Sequence, residues 1–188
     1  MVLAGGRGSR LGGAKATADL AGRPLISYPL EALAAAGLSP FVIAKPSSEL
    51  DPGAPLEVEV VAEPEEPTHP LVGIAAALRH AGGPVVIVGC DFPFAPPALL
   101  RALAEAPEPL VVPAPGGAPQ PLMARWSPEL LPRLEEALAR EEPLRRTVAS
   151  FAPHLWDDTE LTRFGDPVRV FFNVNTPEDL ARATAFVA

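Results

Sequence analysis

The first residues able to do chemistry lie at the N-terminus. Five glycines fall between Gly5 and Gly13, and glycine lets backbone N–H groups approach phosphate oxygens with no side chain between them. Arg10 and Lys15 accompany this turn, one a planar fork and the other a point charge for an anion. The spacing matches neither common phosphate fingerprint. Leu11 stands where G-x-G-x-x-G needs its last glycine, and Ala14 separates Gly13 from Lys15 where a P-loop joins them. On these residues alone a purely structural turn stays open.

A second candidate follows the apolar run Val85, Val86, Ile87, Val88. A strand there sends Asp91 out of its C-terminal end, the edge at which open α/β sheets bind substrates, and so towards the glycine-rich turn. Mg²⁺ is usually held by one or two carboxylates together with substrate phosphates and water, so a single Asp suffices for chemistry at phosphate. The alternative is an Asp that merely starts the turn before Pro93. Both asparagines of the chain, Asn173 and Asn175, stand beside Thr176 and Pro177. Their alternation puts both amides on one face if a strand continues to Asn175. Capping explains Asn175 more readily than Asn173.

Other polar residues carry weaker signals. His69, His80 and His154 lack metal-ligand spacing and read as surface or capping residues, although His69 and Pro70 open a helix whose N–H groups could meet a base or phosphate. Cys90 has no His nearby in sequence and reads as a small buried hydrophobe. Asp157, Asp158 and Glu160 read as a solvated acidic turn, and no nucleophile elbow or Ser-His-Asp order occurs.

Strand-like and helix-like segments alternate, which predicts an α/β fold with a largely parallel sheet. Residues 2–4 form a short first strand, 41–44 and 56–61 further strands, and the second of these is half exposed. Residues 84–88 are unbroken and β-branched, as in a strand covered on both faces, which puts them at the sheet centre. Helices are expected over 24–36, ending at Gly37, and over 71–81, ending at Gly82 and Gly83. Others are expected over 96–105, 128–140 and 143–150, with extended segments at 109–112 and 122–125 joined by a turn at 116–119. Residues 168–172 read as the last strand, before a helix that Thr176 caps and Pro177 opens. No repeat or long linker divides the chain, so a single domain over 1–188 is expected.

Composition narrows the classes. A net charge of −8 argues against a general nucleic-acid binder. Within the first 30 residues, however, Arg7, Arg10, Lys15 and Arg23 face only Asp19, a positive island on an acidic body. The 25 prolines fall between periodic segments and the apolar content is 48%, unlike a disordered chain. Apolar stretches stay below the roughly 20 residues of a membrane-spanning helix. A lone cysteine and no secretory leader point to the cytoplasm.

Taken together, these residues resemble a known family. The loop from Leu3 to Lys15, the Cys90, Asp91, Pro93 segment and the terminal Asn173, Asn175, Thr176, Pro177 segment occur in the order and at the spacing of the molybdenum cofactor guanylyltransferases. Gly22, Arg23, Pro24 and Leu25, and the Pro70, Leu71, Gly73 element, extend the likeness over nearly the full chain. The resemblance implies a three-layer, Rossmann-like nucleotidyltransferase fold with a mostly parallel central sheet. It implies Mg²⁺ as cofactor, and GTP attacked by the terminal phosphate of molybdenum-molybdopterin to give the guanine dinucleotide cofactor and pyrophosphate. By the same resemblance Leu3, Ala4, Gly5, Gly6, Arg10, Lys15, Glu63 and Asp91 bind the nucleotide. Arg10, Lys15 and Asp91 serve catalysis, Asp91 ligates the metal, and Asn173 and Asn175 lie on the pterin side. Other cofactor-biosynthesis proteins and the acceptor molybdoenzymes are the implied partners, with no role for nucleic acid or membrane.

The sequence also departs from the family pattern. Ala14 stands where the family usually has Asp before the loop Lys, in a loop one residue shorter. Lys45 falls near the place of an Asn that often contacts the nucleotide, and Glu63 replaces an Asp. Gly6 favours guanine, since cytidylyl relatives usually carry Ala-Gly at that point. A cytidylyl or sugar-phosphate nucleotidyltransferase, and a non-catalytic GTP-binding accessory protein, stay as alternatives.

Overall fold

A computed structural model of the chain describes residues 1–4, 15–48, 50 and 58–187. Gly5, Gly6 and Arg10 lie outside the described residues, as do residues 51–57. The order of elements is β1 (Val2–Leu3), β2 (Asp19–Leu20), β3 (Arg23–Pro24), α1 (Ser27–Ala35), β4 (Phe41–Ala44), β5 (Glu59–Ala62), α2 (Pro70–Ala81), β6 (Val85–Gly89) and α3 (Pro97–Glu105). Then follow β7 (Leu110–Pro113), β8 (Met123–Trp126), α4 (Leu131–Ala139), α5 (Leu144–Ser150), β9 (His154–Trp156), α6 (Asp158–Leu161), α7 (Pro167–Val170) and α8 (Pro177–Val187).

Among the described residues seven strands form one sheet in the order β5-β4-β1-β6-β8-β7-β9, and β2 pairs β3 in a separate small hairpin. β6 occupies the middle, and all five of its residues are buried, as its β-branched run predicts. Among the described residues every ladder of the sheet is parallel except the two that β8 makes, so there β8 alone runs against the rest. After β5 the chain returns to the other side of β1 to form β6. This reversal leaves a crevice at the C-terminal ends of β1 and β6.

The period-2 alternation of the strands builds two cores. Val86 and Val88 face Leu30, Leu33, Leu99 and Leu103 of α1 and α3, whereas Val85 and Ile87 face Leu71, Ile74, Leu78 and Leu134 of α2 and α4. These are the two helical layers of a three-layer fold. A third cluster, of Leu20, Leu25, Phe172, Val174 and Ala183, clamps the C-terminal segment onto the β2–β3 hairpin. No helix among the described residues is long and apolar enough to cross a membrane.

Several expectations need correction. Residues 168–172 are not a strand: Asp166 accepts a hydrogen bond from the Val168 N–H at 3.0 Å and Pro167 takes the first helical position, so the segment winds into α7. The helix expected over 24–36 begins only at Ser27, because Arg23 and Pro24 are drawn into the hairpin and Leu25 and Ile26 donate to the carbonyls of Ala18 and Ala16. The helix expected over 128–140 is a 3₁₀ turn, Pro128–Leu130, followed by α4. Pro132 has no N–H to return to the Pro128 carbonyl, which forbids an unbroken α-helix there. Asp157, Asp158 and Glu160 do more than face water: Asp157 and Glu160 form a capping box on α6, and Asp158 accepts from the Gly116 N–H.

Candidate active site

Each side chain of the site leaves the C-terminal edge of the sheet. Leu3 ends β1, Lys45 and Glu63 follow β4 and β5, and Asp91 follows β6. Lys15, which follows the glycine-rich segment in sequence, opens a short 3₁₀ turn that delivers it over the same edge. Leu3, Lys15, Lys45, Glu63, Thr68, His69, Asp91 and Leu122 line one cleft.

The three motifs meet at the Lys15 ammonium. Its Nζ donates to Asp91 Oδ2 at 2.7 Å and to Asn175 Oδ1 at 2.6 Å. An ammonium only donates, so the Asn175 amide must turn its oxygen to Lys15, and its Nδ2 then donates to Asn173 Oδ1. The Val174 N–H donates to the Asp91 carbonyl at 3.0 Å and binds the C-terminal segment to the end of β6. Phe172 and Val174 are buried in the third cluster while Asn173 and Asn175 turn to the polar side. The expected alternation of the asparagines therefore survives although the expected strand does not.

The loop holding Asn175 is pinned from α8. Asp179 Oδ2 accepts from the backbone N–H of Asn175 at 3.1 Å and of Thr176 at 3.0 Å, and its own N–H donates to Thr176 Oγ1. These contacts, led by the Asn175 N–H, hold the Asp179 carboxyl below its ordinary pKa.

Two glycines admit the side chains that matter. A Cβ on Gly89 would fall 2.3 Å from Asp91 Oδ1, so the Asp91 carboxylate folds back over bare backbone. A Cβ on Gly73, in the first turns of α2, would fall 2.3 Å from Leu3 Cδ1 and 2.8 Å from Glu63 Oε2. Their signal in the sequence is a glycine at the end of a β-branched strand and another just inside a helix. His69 caps α2, accepting from the Leu71 N–H through Nδ1, which leaves it no metal-ligand role from that nitrogen. Cys90 is buried and its thiol is pushed up to about 12, chiefly by desolvation, so it is no nucleophile.

Glu63 is 5% exposed, and burial pushes its carboxyl above the ordinary range while Lys45 pulls it back. Lys45, 8% exposed, donates through Nζ to the Glu65 carbonyl and to Thr68 Oγ1. Among the described residues no group of three His, Cys, Asp or Glu side chains could hold a metal ion. Asp91 alone would hold a cation in the usual manner of Mg²⁺, with the remaining ligands drawn from a substrate and water. The hard carboxylate oxygen Oδ1 over Gly89 fits that ion.

A family model for the MobA-like NTP transferase domain matches residues 1–155. The chain belongs to this family. Among its relatives, the molybdenum cofactor guanylyltransferase of Rhizobium leguminosarum bv. trifolii is 35% identical over 97% of this chain and 90% of its own length. That of Vibrio cholerae is 32% identical over 97% of this chain and 89% of its own. The crystal structure of molybdopterin-guanine dinucleotide biosynthesis protein A from Archaeoglobus fulgidus superposes with a TM-score of 0.79 at 28% identity, covering 99% of this chain and 96% of that one. The match covers the strands that border the crevice and ends at β9, before Asn173 and Asn175.

Proposed function

We propose that this chain transfers GMP from GTP to the terminal phosphate of molybdenum-molybdopterin, forming molybdopterin guanine dinucleotide and pyrophosphate. The observation that carries this reading is the cluster in which Lys15, Asp91 and the two asparagines converge. The names and full-length coverage of the relatives support the choice of substrates.

In this reading Leu3, Ala4, Gly5, Gly6, Arg10, Lys15 and Glu63 hold the nucleotide, and Asn173 and Asn175 face the acceptor. Asp91 would hold Mg²⁺, which would supply charge neutralisation at the triphosphate. Lys15, oriented by Asn175, brings a fixed positive charge to the leaving phosphates, and Arg10 adds a second. An oxygen of the acceptor phosphate forms its bond to the α-phosphorus as the bond to the pyrophosphate oxygen breaks. Positioning and charge neutralisation suffice, and no protein nucleophile is required. The lone Cys90 supports a cytoplasmic setting for this reaction.

The test is to mix the protein with Mg²⁺, molybdopterin and each of the four nucleoside triphosphates, and to measure pyrophosphate and dinucleotide. Product with GTP is expected. Product only with CTP would move the chain to the cytidylyl relatives, and product with a sugar phosphate to another branch. Tight GTP binding without pyrophosphate release would make it an accessory protein.

A further inference from the structure

Arg125 of β8 pairs with Val86 of β6 on one side and with Val111 of β7 on the other. Cross-strand partners share a face of the sheet, and both valines belong to the core beneath α1 and α3. A guanidinium is thus carried into an apolar layer, where Arg125 is only 7% exposed. Its Nη1 donates to the Glu108 carbonyl at 2.9 Å and to Ser127 Oγ at 2.6 Å. Nε is buried with no partner, and Nη2 has none among the described residues. Glu108 and Glu129 act on its charge from a distance, but both line a different groove and neither carboxylate bonds it. Burying a charge without pairing it is costly.

Arg125 also lines a cavity of about 200 Å³ walled by Leu38, Phe41, Val85, Val86 and Ala104. This cavity sits at the N-terminal ends of β4 and β6, the edge of the sheet opposite Asp91. It shares no lining residue with the nucleotide cleft. The last carbonyls of α1, at Ala35 and Ala36, are taken by Arg101, which offsets the negative end of that helix dipole beside Leu38.

We propose that this cavity is a second ligand site, which takes a small aliphatic carboxylate whose two oxygens accept from Nε and Nη2 of Arg125. With Nη1 committed to Glu108 and Ser127, the Nε–Nη2 edge is the one left for an occupant. Its two parallel N–H bonds match the two oxygens of a carboxylate. The tail of the ligand lies along Leu38, Phe41, Val85 and Val86. A phosphate fits less well, because its further oxygens turn towards these apolar walls and lose their hydrogen bonds. The volume exceeds the ~30 Å³ that one water takes in the liquid, so the space suits a ligand of several non-hydrogen atoms.

The experiment follows backbone amide NMR shifts while the protein is titrated with acetate, propionate and butyrate. Butyramide serves as the neutral isostere and inorganic phosphate as the competing anion. Butyrate is expected to shift the amides around Leu38, Val86 and Arg125 saturably and to leave those around Asp91 in place. Affinity should rise about fourfold with each methylene from acetate to butyrate, the scale of burying a CH₂. Butyramide and phosphate should bind about tenfold more weakly or worse, as expected when a charge-assisted pair of hydrogen bonds is lost. Arg125→Lys keeps the charge and a donor for the Glu108 carbonyl but loses the forked edge, and it should weaken butyrate by a similar factor. Ala104→Leu fills the cavity without touching the guanidinium and should do the same, so it serves alone if the Arg125 variant does not fold. Absence of a saturable butyrate shift in wild type overturns the inference. So does equal binding of butyramide or phosphate, or butyrate affinity unchanged in the folded variants.

Discussion

Lys15 and Asp91 stand 76 residues apart in sequence and 2.7 Å apart in space, each with 16% of its side chain exposed. The ammonium faces the group assigned to the metal, and Asn175, 160 residues from Lys15, holds it there. A charge pair so placed is partly screened from water yet reachable by a ligand, which suits it to exchange one anion for another. Entry of a triphosphate gives Lys15 a second anion to bridge without a long excursion of its side chain.

Removing Asp91 should therefore separate activity from folding. Asp91→Ala and Asp91→Asn are expected to abolish turnover while leaving the unfolding temperature near that of wild type. An active Asp91→Ala enzyme, measured by pyrophosphate release, would remove the centre of the mechanism. Lys15→Ala should weaken GTP binding by about 1.5–3 kcal/mol, as for a hydrogen bond to a charged group, and calorimetry reads this directly.

Gly89→Ala tests how closely the Asp91 rotamer is held. The new methyl group would overlap Asp91 Oδ1 at 2.3 Å, so the carboxylate must swing away. A displacement of about 1 Å at a reacting centre is expected to lower turnover by about 10²-fold, with a higher Mg²⁺ requirement. Unchanged Mg²⁺ titration of the variant would show that Asp91 tolerates another position.

Asn175→Ala deprives Lys15 of an acceptor and Asn173 of its donor. KM for GTP and KM for the acceptor are both expected to rise, because one amide serves the phosphate-binding Lys and the acceptor side together. A rise confined to the acceptor would mean that Lys15 leaves Asn175 when nucleotide binds.

Asp179 ties Asn175 to α8, and its lowered pKa sets the sign of a pH effect. A carboxyl depressed in the folded state stabilises it above the unfolded pKa, and that contribution is lost as pH falls through the folded value. Asp179→Asn is thus expected to cost about 1 kcal/mol at neutral pH, the scale of a lost helix cap. The difference from wild type should shrink below the ordinary aspartate range, which denaturant titrations at several pH values will show.

Much of the fold was legible because its signals are local. The β-branched run of Val85 to Val88 reads as a central strand, and β6 is central. Gly82 reads as a helix stop and adopts φ 60°. The segment over 168–172 misled for the opposite reason: its apolar residues suggest a strand, but Asp166 and Pro167 form a helix start that outweighs them. β9 is three residues long and carries no period of its own.

Residue types and order alone determined the alternation of elements, the sheet centre and the motifs at Lys15, Asp91 and Asn175, because backbone preference and side-chain period act over a few residues. The reversed direction of β8, the placement of β7 and β9, and the meeting of Lys15 with Asn175 were decided only by the tertiary structure. Strand partners and a shared ammonium are set by which buried faces and loop ends meet after the chain has closed over 76 and 160 residues, and no local pattern encodes that choice.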